Sequence, residues 1–168
     1  MICRKTKQED VPRIMEMIDQ GKVYFKTQGI NQWQKGYPNK QTIRQDIEGG
    51  KSYLLEREGN IVATACLSFN DEKTYEKIYE GAWLSEDSHG IIHRIAVAQE
   101  HKGQGVAGLL LEQLEILCRI EGAKSIKIDT HRDNHTMQRF LEKTGFSYCG
   151  IIFLQEGDER IAFEKRLT

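Results

Sequence analysis

The stretch Lys102-Gly103-Gln104-Gly105-Val106-Ala107-Gly108 is where residue types and spacing point most directly to chemistry. Glycine at 103 and 105 lets the backbone come close to a ligand with its N–H groups turned inward. The apolar stripe Val106, Leu109, Leu110, Leu114 and Leu117 opens a helix inside the same stretch. The free N–H groups of its first turn and the positive end of its dipole therefore lie at the glycines. Ala107 and Gly108 keep side chains out of that approach. Together these features describe a site for a phosphate or a pyrophosphate.

Other reactive side chains form no comparable pattern. Cys3, Cys66, Cys118 and Cys149 are scattered without a C-x-x-C pair, which supports neither a disulfide framework nor a zinc site. Each lies in an apolar segment, where cysteine acts as a small hydrophobe. His131 and His135 are four apart, as helical zinc ligands can be. The glutamate of H-E-x-x-H is missing, however, and Asp133-Asn134 between them reads as a helix start. No metal is expected.

The elements that must position these residues follow from periodicity. Residues 2–6 read as a short strand. Val11, Ile14, Met15 and Ile18 fall at i, i+3, i+4 and i+7, predicting a helix that ends near Gly21. An irregular stretch rich in aromatics and glycine follows, holding Tyr24, Phe25, Gly29, Trp33, Gly36, Tyr37 and Pro38. Ile43 and Ile47 mark a second short helix closed by Gly49-Gly50. Residues 52–57 and 61–69 read as strands joined through Glu58-Gly59-Asn60. Residues 70–90 are polar and without a clear period, a loop with room for one helical turn. Residues 91–97 form a strand, and the long helix after it ends at Gly122. A strand at 125–130 and a helix at 134–144 come next, with Met137 and Leu141 inward and Gly145 at the C-cap position. A hairpin of 146–154 and 160–166, around Gly157-Asp158, finishes the chain.

The resulting order is β-α-α-β-β-β-α-β-α-β-β, a mixed sheet with helices on both faces in one α+β domain spanning residues 1–168. A chain of 168 residues suits one domain with a sizeable core. The formal charge of −1 lacks the basic excess of a nucleic-acid binder, so no nucleic-acid partner is expected. No apolar run approaches the ~20 residues of a membrane span, and MICRKTKQED is not a secretory leader. The expectation is a soluble, cytoplasmic protein with no membrane partner.

Two motifs compete for the glycine turn. GQGVAG (103–108) satisfies G-x-G-x-x-G, and Asp129 ends the next strand where a dinucleotide-binding acid could sit. A Rossmann turn follows its strand almost at once, however, whereas residues 98–102 intervene here, and no βαβαβ half precedes the motif. The better match is the acetyl-coenzyme A signature Q/R-x-x-G-x-G/A, placed after a strand ending in hydrophobic-x-V. Here Ile95-Ala96-Val97 ends the strand and Lys102 to Ala107 forms the loop, with Lys102 replacing the usual Gln or Arg while keeping its charge. Farther on, Asn134 and MQRFLEKTGF (137–146) are similar to an "N…LYEKLGF" stretch. On these residues the chain resembles the GNAT (GCN5-related N-acetyltransferase) superfamily, over most of its length and most strongly from Ile91 to Phe146.

The resemblance implies a three-layer α/β/α fold, with a mostly antiparallel sheet and splayed central strands. It implies an N-acetyltransferase that moves the acetyl group of acetyl-CoA to a small-molecule or peptide amine by direct attack. The Ile95-Ala96-Val97 strand would hold pantetheine, with the backbones of Ile95 and Val97 pairing to it as to another strand. The N–H groups of Gly103 to Gly108 would hold the pyrophosphate, and Asn134 would bind pantetheine near the splay point. A backbone N–H near Val97 would stabilise the oxyanion. His93, on the same strand, is the leading candidate for a general base, or else packs in the sheet; Glu72 and Glu80 are weaker candidates. The position where the family often has a tyrosine acid is Leu141, and Tyr148 is the only tyrosine nearby. Trp33 and Tyr37 either face the acceptor or cap the core. Arg94 either binds a carboxylate or makes a surface salt bridge. A homodimer is compatible with the resemblance. A CoA-binding module without catalysis, and an acyltransferase for hydroxyl groups or other acyl donors, stay open as alternatives.

Overall fold

Apolar stripes and alternating runs become elements in the expected order in a computed structural model that describes residues 1–168. The strands are β1 (Ile2–Lys5), β2 (Ser52–Arg57), β3 (Asn60–Phe69), β4 (His89–Val97), β5 (Ser125–Thr130), β6 (Ser147–Phe153) and β7 (Glu159–Arg166). The helices are α1 (Val11–Thr27), α2 (Lys40–Glu48), α3 (Val106–Ile120) and α4 (His135–Lys143). Single 3₁₀ turns stand at Gln8–Asp10, Lys73–Tyr75 and Gln99–His101. The fold is α+β, with strands ordered β1-β2-β3-β4-β5-β7-β6 in a mixed sheet. The β1–β2, β2–β3, β5–β7 and β6–β7 pairs are antiparallel, whereas β4 meets β5 in parallel. No helix is long and apolar enough to cross a membrane.

The residues gather into two compact units, Met1–Leu67 with His93–Leu114, and Ser68–Ile92 with Glu115–Thr168. In the first unit, the α1 stripe Val11, Ile14, Met17 and Ile18 packs with Ile43 of α2, Leu54 of β2, Ile61 of β3 and Ala98. Ile14 and Ile18 are fully buried, which stabilises the fold by about 1.5–3 kcal/mol each. The β2–β3 turn places Glu58 (φ 51°) and Gly59 (φ 79°) in the left-handed region, the geometry a tight two-residue hairpin needs.

Helix α1 departs from the sequence expectation. It runs through Gly21 and takes in Tyr24 and Phe25, ending only at Gln28 before Gly29 (φ 69°). The cause is packing. A Cβ on Gly21 would lie 2.9 Å from the Trp33 ring, so this glycine gives the indole its seat on the helix.

In the second unit, Tyr75, Ile91, Ile152 and Ala162 form a buried cluster, with Ile78, Trp83 and Leu154 against it. The polar 70–88 segment is ordered by hydrogen bonds rather than by period. Tyr79 and Ile151 exchange backbone bonds of 2.8 Å, and Trp83 Nε1 donates to the Tyr75 carbonyl at 2.8 Å. The buried Glu164 carboxylate accepts from the Leu84 N–H and the Ser125 hydroxyl, both at 2.6 Å. Lys127 lies 4.5 Å over the Trp83 ring.

Candidate functional site

The glycine turn lies wholly in the first unit, between the end of β4 and α3. Its entrance is tied down by backbone bonds. The Ala98 N–H donates to the Val62 carbonyl at 2.9 Å, and the Gln99 N–H donates to Gln20 Oε1 at 2.9 Å. Gly103 and Gly105 both have φ 75°, and a Cβ on Gly103, Gly105 or Gly108 would meet nothing within 4 Å. The first bond into α3 runs from the Leu109 N–H to the Gly105 carbonyl at 3.1 Å. The successive N–H groups of Gly103, Gln104, Gly105, Val106, Ala107 and Gly108 thus meet no acceptor in the protein. An oxyanion is the ligand that this run of donors and the helix dipole favour.

Side chains frame the turn without filling it. Gln104 accepts from Arg57 Nη1 at 3.3 Å and donates to the Glu100 carbonyl at 3.2 Å. Lys102 carries its ammonium 4.8 Å over the Tyr24 ring, so its charge stays at the turn on an aromatic support.

Upstream on β4, His93 is partly buried and Arg94 has φ 53°, a break in the extended run. The pairing of β4 with β5 covers only His89, Gly90 and Ile91, so Ile95, Ala96 and Val97 have no β5 partner. Arg94 makes a two-pronged pair with Asp46 of α2, from Nε to Oδ2 at 2.8 Å and from Nη2 to Oδ1 at 2.6 Å. Its Nη1 donates to the Tyr37 hydroxyl at 2.5 Å. The Arg94 and Asp46 side chains are only 13% and 11% exposed, so this is a largely buried clamp and not a surface salt bridge. Burial pushes the Tyr37 phenol above its usual range, with the Arg94 charge acting the other way. The two aromatics of the 29–40 stretch therefore divide. Trp33 seats on Gly21 and meets the edge of Phe25 at 5.4 Å, whereas Tyr37 joins the Arg94 clamp.

The remaining candidates lie in the second unit. Asn134 caps α4, its Oδ1 accepting from the Met137 N–H at 3.2 Å. Leu141 is fully buried, and Tyr148 is half exposed with its ring against Phe163. Glu72 caps the Lys73–Tyr75 turn by accepting from the Thr74 hydroxyl at 2.9 Å, and Glu80 stands exposed. Asp129 accepts from the buried Tyr75 hydroxyl at 2.6 Å. Burial raises all four cysteine thiols, Cys66 and Cys118 to about 12. Sequence reasoning missed the Tyr75–Asp129 bond and Arg160, a buried arginine of β7. The available signal was register: Arg160, Ala162 and Glu164 alternate onto one face of β7, which makes a cation there unusual.

Comparison with known proteins points one way. Residues 19–146 match the model of the Acetyltransferase (GNAT) family. The chain is similar to an uncharacterized N-acetyltransferase, YesJ of Bacillus subtilis, at 23% identity over 95% of this chain and 87% of the relative. The crystal structure of a GNAT-family acetyltransferase from Streptococcus agalactiae superposes with a TM-score of 0.91 at 32% identity, covering 99% of this chain and 95% of that one. Chaetomium thermophilum Naa20, solved with a bisubstrate analogue, shares the fold at a TM-score of 0.69 and 16% identity, covering 99% of this chain and 87% of that one.

Proposed function

The chain belongs to the GNAT acetyltransferase family, and from that premise we propose that it transfers the acetyl group of acetyl-CoA to an amine by direct attack. The observation that carries the reading is the acceptor-free N–H run from Gly103 to Gly108 at the amino end of α3. The open space over the glycines and the turn of φ 75° at Gly103 and Gly105 fit a pyrophosphate. Lys102 and the Gln104 side chain would frame it. Ile95 and Val97 would pair with pantetheine along the part of β4 that β5 leaves free, with Ala96 between them and Asn134 as a further contact.

Acetyl-CoA supplies an acetyl group activated as a thioester. The amine nitrogen bonds to the acetyl carbon, the carbon–sulfur bond breaks, and the amine gives up a proton. His93 takes that proton in this reading, directly or through water. A route through a cysteine acyl-enzyme has no support, because burial holds all four thiols protonated at neutral pH. The buried Leu141 offers no proton to the leaving thiolate, which would leave bare or take one from water. Leu141 also keeps alive a CoA-binding module without turnover.

Two measurements test the proposal. Calorimetry should show coenzyme A and acetyl-CoA binding well above pantetheine, with binding abolished in Gly105→Asp, whose carboxylate would enter the anion site. Tighter binding of NAD than of coenzyme A would overturn the reading. Release of free coenzyme A with a panel of amines separates an enzyme from a binding module.

A further inference from the structure

Arg160 is only 8% exposed, yet its guanidinium meets no carboxylate. Its one hydrogen bond, from Nη1, goes to the carbonyl of its neighbour Glu159 at 3.0 Å. The Glu159 carboxylate is taken by Arg132. Asp129 lies on the same sheet face as Arg160, because Asp129 pairs with Ala162 in the β5–β7 register. Its carboxylate is nevertheless engaged by the neutral Tyr75 hydroxyl. A buried cation is costly to hold without a counter-charge, so a guanidinium left in this state is poised for an external one.

A second donor stands beside it. The register ends at Thr130 opposite Ile161, and continued by one residue it sets His131 opposite Arg160. His131 Nδ1 accepts from the Asp133 N–H at 3.0 Å, so the neutral ring carries its proton on Nε2, which donates to nothing in the protein. Burial first, and then the Arg160 charge, hold His131 below its usual range, with Asp133 and Asp158 acting against them. The ring is therefore a neutral donor at physiological pH.

We propose that Arg160 and His131 form an oxyanion-binding fork whose ligand is a carboxylate on the acceptor. The proposal rests on the acetyltransferase reading and narrows its acceptor to acidic amines or peptides. The planar fork of arginine suits a carboxylate, and a phosphate ester shares the chemistry. Coenzyme A itself is the other source of an oxyanion. The position argues against it: His131 lies three residues before Asn134, the proposed pantetheine contact, while the phosphates are assigned to the turn before α3.

The test titrates succinate, and succinamide as its neutral match, into the full chain at constant ionic strength, following the arginine Nε–H signals by NMR. The Arg160 signal, identified by its loss in Arg160→Gln, should shift saturably with succinate and not with succinamide. Arg160→Gln should weaken succinate binding about tenfold to a hundredfold. Arg160→Lys should recover part of it, and His131→Ala should weaken it by less. Unchanged backbone spectra exclude unfolding as the cause. Calorimetry with coenzyme A should give the same affinity in wild type and Arg160→Gln. No saturable shift with succinate overturns the fork, and a matching loss of coenzyme A affinity overturns its assignment to the acceptor. Wild type that binds succinate but not coenzyme A would sink the acetyltransferase reading while leaving the fork in place.

Discussion

Arg94 and Asp46 hold each other through a two-pronged contact that keeps little water. Removing one member strands a charge, which costs more than the pair itself contributes. Asp46→Leu should therefore destabilise by about 2–4 kcal/mol in urea unfolding, and the double variant with Arg94→Met should recover much of the loss. An additive double variant would show that the two side chains do not depend on one another. His93 makes a different demand, since its proposed work concerns the proton and not the fold. His93→Ala should lower kcat on the order of 10²-fold with little change in coenzyme A affinity. A folded variant with full turnover across pH 6 to 9 would reduce His93 to packing.

At the level of elements, the path of the 70–88 segment hangs on close backbone approach. A Cβ on Gly81 would stand 1.9 Å from the Cys149 carbonyl oxygen of β6, and backbone cannot yield as a flexible side chain can. Gly81→Ala should release the segment, seen as faster amide exchange at Tyr79 and Ile151 and a lower melting temperature. Unchanged exchange there would refute the contact. This segment also marks where sequence was least informative. The turn before α3 and the apolar stripes were legible because glycine spacing and period report local geometry directly. Residues 70–88 carry no period because their order comes from single long-range bonds, such as Leu84 to Glu164. The end of α1 was misplaced for a related reason: Gly21 looks like a stop, and only Trp33, arriving from a later loop, shows that it is a seat. Arg94 and Arg160 read as surface cations, since burial is decided by neighbours that a linear pattern does not reveal.

For the molecule as a whole, the dependence of rate on pH joins these residues. With Leu141 buried and no acid assigned, kcat should rise as the base and the amine lose protons, then hold to about pH 9.5. Tyr37 adds no descending limb in this window, because burial raises its phenol above the usual value of 10.0 and keeps it protonated there. The profile must be taken where chemistry limits the rate, since product release masks either limb. A descending limb that vanishes in Tyr148→Phe would identify a proton donor and overturn the bare-thiolate reading.

The division of the chain between two units has a consequence on the ribosome. The first unit contains residues up to Leu114 and the second needs the chain to its last strand, so one is complete well before the other. At 5–20 residues per second the interval is roughly 3–10 s. During it the His89–Ile91 edge of β4 waits for Ser125–Lys127, and β5 in turn waits for β7. An unpaired strand edge invites pairing with a stranger. The nascent chain should therefore lose soluble yield when translation slows after codon 114, and a chaperone that shields strand edges should restore it.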